Sequence, residues 1–306
     1  MLLRANAKLL LTGEYLVLKG ARAIAMPLHF GQELTLYKGI PNKIVWESID
    51  PKGCWFSAIF DALGDEMHSS ISSTAKFVST LLKSAEVLHP GFLSMLLGQK
   101  VVINADFDLQ WGLGSSSSLI SLVAQLAAVE GYLLHKMVSS GSGYDVIAAQ
   151  QSTPFIFQLV DGMPKYSPVA LPLFLSKHLF FVYLGKKQGT ASCVKAFLDS
   201  SSLLLKEDIN HISELSLQLL AAINVKEVCR LLEQHETVIS KILGVDSIKK
   251  ASFRDFNGCV KSLGAWGGDF ALFCSEEPEL YIRSYLDRKG LSPVFRFDEI
   301  GMSYGK

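Results

Sequence analysis

The chain has 306 residues, 49% hydrophobic and 19% charged, and its 29 lysines and arginines balance 29 aspartates and glutamates. Such a length gives ample core for one large domain or two ordinary ones, and a neutral balance speaks against a nucleic-acid binder, which would carry a basic face or tail. Five cysteines without a C-x-x-C pair point to reduced, buried thiols in a cytoplasmic protein.

The N-terminal triplet Leu9–Leu11 is too short for a secretory signal core, and no window approaches a membrane span. Residues 2–38 read as strands broken by glycines: Leu3–Leu11, Tyr15–Leu18, a third beginning at Ala23–Pro27, and the alternating Gln32–Tyr37. Lys43–Ile49 and Gly53–Phe60 continue in the same manner. A helix is expected over Ser73–Leu88, capped by Ser72 or Ser73 and closed by Pro90-Gly91. Lys100–Asn104 is a strand, and a helix follows from Ser115 to about Tyr132. Asp145 opens a short helix to Gln151, and Thr153–Val160 is strand-like. Asp161-Gly162-Met163-Pro164 reads as a turn, and with the prolines up to Pro172 it marks a domain boundary.

Beyond it come the strand His178–Leu184 and helices over Ser192–Leu205, Asp208–Ile223 and Val225–Leu243. Asn257–Leu263 and Phe270–Cys274 are strands around a glycine-rich loop. Ser275 caps a helix over Pro278–Arg288, ended by Gly290, and Pro293–Phe297 is the last strand. Helices and strands alternate on both sides of the boundary, which makes two α+β domains, 1–165 and 166–306.

The stretch Trp111-Gly112-Leu113-Gly114-Ser115-Ser116-Ser117-Ser118 carries the chemistry. Its glycines permit close approach of a ligand to the backbone, and its serines are expected to cap the helix that follows and to add hydroxyl donors beside its unpaired N–H groups. A strand feeding such a turn and then a helix is the geometry of a phosphate site. The same turn also opens helices that bind nothing. It is neither a Walker A loop, since no G-K-[ST] follows, nor a dinucleotide fingerprint, since Ser117 stands where the third glycine would.

Two further segments flank it, Asn6-Ala7-Lys8-Leu9-Leu10-Leu11-Thr12-Gly13-Glu14-Tyr15 and Lys261-Ser262-Leu263-Gly264-Ala265-Trp266-Gly267-Gly268-Asp269, and Ser142-Gly143-Tyr144-Asp145 lies between. In this order the segments resemble the motifs of the GHMP kinase superfamily, G-E-[HY], G-L-G-S-S, G-[FY]-D and K-x-x-G-A-G-G-G, over almost the full length. Glu14-Tyr15 and the G-[FY]-D segment resemble the mevalonate-pathway branch, phosphomevalonate kinase and mevalonate kinase. Three departures stand out: Trp266 replaces a glycine, Asn6-Ala7 replaces the glycine before Lys8, and the span from Ser118 to Asp145 is short, with Glu130 its only acid before Asp145.

The resemblance implies a two-domain GHMP kinase fold, an N-terminal domain containing a left-handed βαβ unit and a C-terminal ferredoxin-like domain. It implies an enzyme using ATP and Mg2+ to phosphorylate mevalonate or 5-phosphomevalonate. Gly112, Leu113, Gly114, Ser115, Ser116, Ser117 and Ser118 would hold the nucleotide phosphates, and Ser115, Ser116 or Ser117, with Ser116 taken first, would offer a hydroxyl to the metal. Asp145 would accept the proton of the acceptor group, and Lys8 would neutralise charge beside it. Glu14, Tyr15, Ser142, Gly143, Gly264, Ala265, Gly267, Gly268 and Asp269 would meet the substrate. Read without the resemblance, Asp145 is a helix cap sooner than a catalytic group, and Lys8 a surface lysine. A fold of this kind without turnover, or a kinase-decarboxylase of the same superfamily, are the competing functions. The expected partner is a small-molecule substrate, in a monomer or homodimer that engages neither nucleic acid nor membrane. The histidines show no metal-ligand spacing.

Overall fold

The computed structural model describes residues 1–185, 197, 206–264 and 269–302. Two compact units emerge, one formed by Met1–Lys8, Phe30–Leu109 and Leu113–Gln151, the other by Leu9–His29, Gln110–Gly112 and Ser152–Lys306. No described helix is long and apolar enough to cross a membrane. The architecture is α+β.

In the first unit, strands β3 (Ile44–Asp50) and β4 (Gly53–Phe60) form a hairpin, and β5 (Glu66–Ser69) extends it. β6 (Gln99–Ala105) pairs parallel to β3 and antiparallel to residues Gln32–Lys38 of β2 (Ala23–Lys38). Five helices belong to this unit: α1 (Ser72–Leu88), α2 (Phe92–Leu96), α3 (Ser115–Leu126), α4 (Gly131–Val138) and α5 (Tyr144–Ala148). Ala75, Val78, Leu81, Leu82 and Ala85 recur at helical spacing on α1 and are all buried with Trp46, Phe56, Phe60, Leu122 and Val123. Burying each large apolar side chain contributes about 2 kcal/mol, which fixes α1 and α3 far more firmly than their end caps do.

In the second unit, β1 (Leu2–Leu10) ends and β2 begins, with Leu11 N–H donating to Ile24 O. Ala23–Ala25 pairs with β7 (Phe155–Val160), which turns back as β8 (Met163–Pro168). The turn is only Asp161-Gly162, both at positive φ, the two-residue connection that matches strand twist. Met163 and Pro164, expected in the turn, therefore begin a strand instead. A β-α-β-β-α-β module follows: β9 (Leu179–Tyr183), helices α6 (Lys206–Ala221), α7 (Val225–Leu243) and α8 (Ile248–Ser252), β10 (Cys259–Leu263), β11 (Phe270–Cys274), α9 (Glu279–Arg288) and β12 (Val294–Arg296). Its sheet is antiparallel throughout, in the order β10-β11-β9-β12, the ferredoxin-like arrangement. Phe180, Val182, Val260, Phe273, Ile282 and Leu286 form its core. A last short helix, α10 (Phe297–Ile300), begins where the final strand was expected to continue.

Several local expectations are corrected. Tyr15–Leu18 is not a strand: Tyr15 has φ 62° and Leu16–Lys19 is a 3-10 turn closed by Gly20 in the left-handed region. The helix expected over Ser115–Tyr132 is two helices. Ala128 takes φ 53°, with Val129 N–H bonding Ala124 O and Ala128 N–H bonding Gln125 O, a Schellman stop built without glycine. Neither Ser72 nor Ser73 caps α1, whose N-cap is Ile71, and Ser275 does not cap α9, whose N-cap is Pro278. Ser275 Oγ instead donates to Asn257 O and accepts from Glu277 N–H. The helix expected over Ser192–Leu205 lies outside the described residues except for buried Phe197.

Glu130 is the N-cap of α4, its two carboxylate oxygens accepting from Tyr132 N–H at 2.9 Å and Leu133 N–H at 2.6 Å. Glu130→Ala is expected to lower stability by about 1 kcal/mol, as loss of a helix cap does. A urea-unfolding midpoint unchanged from the parent protein would refute the capping role.

Candidate active site

Three segments of the first unit converge on Lys8. Its N–H donates to Leu113 O at 3.0 Å. Two residues earlier, Asn6 N–H donates to Ala149 O and Asn6 Nδ2 to Gln151 O, both at 2.8 Å. The strand is thus held between the start of α3 and the end of α5. The Lys8 ammonium sits 5.4 Å from the centroid of the Tyr144 ring, a cation–π contact.

Gly114 is the N-cap of α3 at φ 90°, and a Cβ there would approach Lys8 Cε to 2.8 Å. The backbone conformation disfavours a side chain, and an added Cβ would push the Lys8 side chain from its place. No serine side chain caps the helix, contrary to expectation. The first intrahelical bonds run from Ser117 N–H and Ser118 N–H to Gly114 O, so the N–H groups of Ser115 and Ser116 precede them and point out of the helix start.

The four serines divide by role. Ser118 is fully buried and hydrogen-bonds Gln32 Oε1. Ser117 is buried, and its hydroxyl donates to Asp145 Oδ2 at 2.5 Å. Ser115 is half-buried and Ser116 exposed. The other oxygen of Asp145 accepts from Val146 N–H at 3.1 Å. Asp145 is not the N-cap of α5; Gly143 is, at φ 80°, and a Cβ on Gly143 would lie 2.6 Å from the Tyr132 ring. Ser142 is buried beside it. A lysine, a hydroxyl-bound carboxylate and a helix start with outward N–H groups therefore share one compact unit. That set can bind an anion, take a proton and offset developing negative charge.

The remaining expected site residues belong to the second unit. Gly112 has φ 69°, and its Cα faces Asp269, whose Oδ2 would be 2.3 Å from an added Cβ. Asp269 is buried, has φ 43°, and its carbonyl accepts from Leu184 N–H. Gly264 has φ 74° and faces the same carboxylate at 3.7 Å. Ala265, Gly267 and Gly268 lie outside the described residues.

Glu14 and Tyr15 are both buried. The Tyr15 ring meets Phe197, and the Glu14 carboxylate receives the Lys261 ammonium in a fully buried ion pair. His235 lies against the same turn: Gly13 N–H donates to its Nε2 at 2.9 Å, and Glu14 Oε2 is 3.4 Å from that nitrogen. An Nε2 that accepts carries no proton, so His235 is neutral and its approach to Glu14 is not an ion pair. Burial above all, with the nearby Lys261 charge, holds its pKa well below the usual imidazole value. Burial raises the Glu14 carboxyl, and Lys261 opposes the rise. Glu236, also buried, is pushed up to about 8, chiefly by burial, with Lys261 opposing and Glu14 adding. Neither of its oxygens has a hydrogen bond of good geometry among the described residues.

Neither a protein-family model nor a curated protein matches the chain in sequence. Solved structures do match its fold. Methanococcus jannaschii mevalonate kinase is 19% identical with a TM-score of 0.69, over 99% of this chain and 98% of that one. Streptococcus pneumoniae phosphomevalonate kinase, in complex with phosphomevalonate and AMPPNP, is 16% identical with a TM-score of 0.71, over 97% and 99%. Lactococcus lactis galactokinase complexed with galactose is 14% identical with a TM-score of 0.64, over 96% and 91%. The chain has the GHMP kinase fold.

Within this GHMP fold the sequence motifs did not mark His235 or Glu236. Both sit on the apolar face of α7, where the helical period reads them as ordinary core positions. Lys261 belonged to a recognised motif, but its partner Glu14 lies 247 residues away, beyond any local pattern.

The Glu236 shift has a direct consequence for stability. A carboxyl whose pKa is raised by folding from 4.5 to about 8 keeps its proton in the folded state while the unfolded chain loses it. Its contribution is complete below about pH 4.5 and is lost as pH rises toward 8. His235 acts oppositely, and only below its ordinary value of 6.5. Between pH 6.5 and 8, Glu236→Gln is therefore expected to remove a decline of about 2 kcal/mol. Urea unfolding across that range checks this, and parallel curves for the two proteins would disprove the raised pKa.

Proposed function

We propose that this protein is an ATP-dependent phosphotransferase acting on a small metabolite, with mevalonate or 5-phosphomevalonate as the acceptor. The observation that carries the reading is the Ser117–Asp145 hydrogen bond beside the Lys8 side chain packed on Gly114. The resemblance of the three ordered motifs to the mevalonate-pathway branch, and the similarity in fold to a mevalonate kinase and a phosphomevalonate kinase, support the choice of acceptor.

Phosphoryl transfer passes through a loose, highly charged transition state, and a protein assists chiefly by position and electrostatics. In this reading the N–H groups of Ser115 and Ser116 receive phosphate oxygens at the start of α3, whose dipole favours negative charge. Asp145, half-buried and oriented by Ser117, accepts the proton from an acceptor hydroxyl. Lys8, restrained by its backbone bond to Leu113 and by Tyr144, offsets negative charge on the group in transit. An acceptor that is already a phosphate is anionic near neutral pH, so the same two side chains then act mainly by orientation.

The donors fit a hard cation: the hydroxyls of Ser115, Ser116 and Ser117 are oxygen ligands of the kind magnesium takes, while Asp145 is kept for the acceptor's proton. They would hold Mg2+, which neutralises phosphate charge when bound. Glu130 is committed to capping α4 and is not among them.

ADP release measured separately with mevalonate and with 5-phosphomevalonate tests the reading. The expected result is turnover with one of them, and a fall in kcat of ~10²–10⁴-fold in Asp145→Asn. Turnover with neither acceptor would reject the substrate assignment, and equal rates for the two proteins would reject Asp145 as the base.

A further inference from the structure

Three of the cysteines that show no motif in the sequence meet in the second unit. Cys229 comes from α7, Cys259 is the first residue of β10 and Cys274 the last of β11. Cys259 and Cys274 are directly opposed register partners across the β10–β11 pair, and both are fully buried. Cys229 lies above them, half-buried, and its thiol donates to Cys274 O at 3.4 Å. All three Sγ atoms lie within 4.8 Å of one another.

Thiolates bound tetrahedrally to zinc at about 2.3 Å stand about 3.8 Å apart, so small side-chain rotations close the triangle. Access is present too. A cavity of about 480 Å³ opens beside Cys229 and is lined also by Glu233, Asn257, Ser275 and Glu276.

We propose that Cys229, Cys259 and Cys274 form a tri-thiolate site for Zn2+, with the fourth coordination position facing the cavity. Three thiolates select a thiophilic d10 ion. A divalent ion leaves a single net negative charge on the three-sulfur site, whereas a monovalent one leaves two. The ion would tie α7 to the β10–β11 hairpin. This site uses none of the residues assigned to phosphoryl transfer.

The test uses the full-length protein, reduced and stripped with a chelator, and titrated with Co2+ alone. The expected result is one equivalent bound, with a near-ultraviolet thiolate-to-cobalt band and visible bands of tetrahedral cobalt, all abolished by Zn2+. Cys229→Ser is expected to weaken binding by at least about tenfold, as changes around a metal centre typically do. Cys54→Ser, which alters an exposed cysteine elsewhere, should bind as the parent does.

Absence of the thiolate band in the parent protein, or equal affinity in Cys229→Ser, would overturn the site, as would binding of Cu+ but not of Co2+ or Zn2+. Should Cys229→Ser fail to fold by circular dichroism, alkylation of the parent protein decides. One equivalent of Zn2+ should slow iodoacetamide modification of Cys229, read by peptide mass, at least about tenfold. Unchanged modification would refute the proposal.

Discussion

At Gly114 the backbone stands at φ 90° and leaves the space of a missing Cβ to the Lys8 side chain. The candidate active site depends on that one exchange. It lets the end of β1 lie against the first turn of α3, close enough for Lys8 N–H to bond Leu113 O. It leaves the leading N–H groups of the helix without a side-chain cap. A serine cap would consume one of those donors internally. The uncapped start keeps them outward, and the serines are released for other duties: Ser118 anchors the helix to Gln32, and Ser117 fixes Asp145.

The second unit handles its polar groups differently. Its motif turn is buried rather than open, and the Lys261 ammonium offsets the cost to Glu14 of losing water. His235 stays neutral and accepts the Gly13 N–H, and Glu236 holds its proton well into the neutral range. A buried cluster of two carboxyls, one ammonium and one imidazole is thereby reduced to a single ion pair. Asp269 completes the arrangement by filling the space in front of Gly112 and Gly264. Here the glycines accommodate a carboxylate of the protein itself.

Much of this was visible in the linear pattern. The apolar period of α1 and α7, the alternation in β2 and the glycine that ends α9 gave elements close to those observed, because burial of one face and the backbone freedom of glycine decide them. Errors fell where the decisive group was distant or atypical. Ala128 stops α3 in a conformation that a glycine would have announced, and Tyr15 turns the chain at a positive φ that an aromatic residue rarely adopts. Tyr15 is buried against Phe197, whereas Ala128 is exposed and its turn is closed by backbone hydrogen bonds. The Asp161-Gly162 turn was legible, but the strand after it was hidden by two prolines on β8, which among the described residues pairs only with β7.

The sequence by itself determined the order of its glycine-rich segments, the residue types available for phosphate chemistry, and an α+β fold able to bury them. Those follow from period, composition and the backbone freedom of glycine, which act over a few residues. Tertiary structure alone decided that Ser117 rather than its neighbours holds Asp145, that Glu130 is a helix cap, and that Glu14 is buried on Lys261. It alone gathered Cys229, Cys259 and Cys274 from a helix and two strands. Each of these joins groups far apart along the chain, and only folding sets their distance and their exposure to water, which together govern their charge.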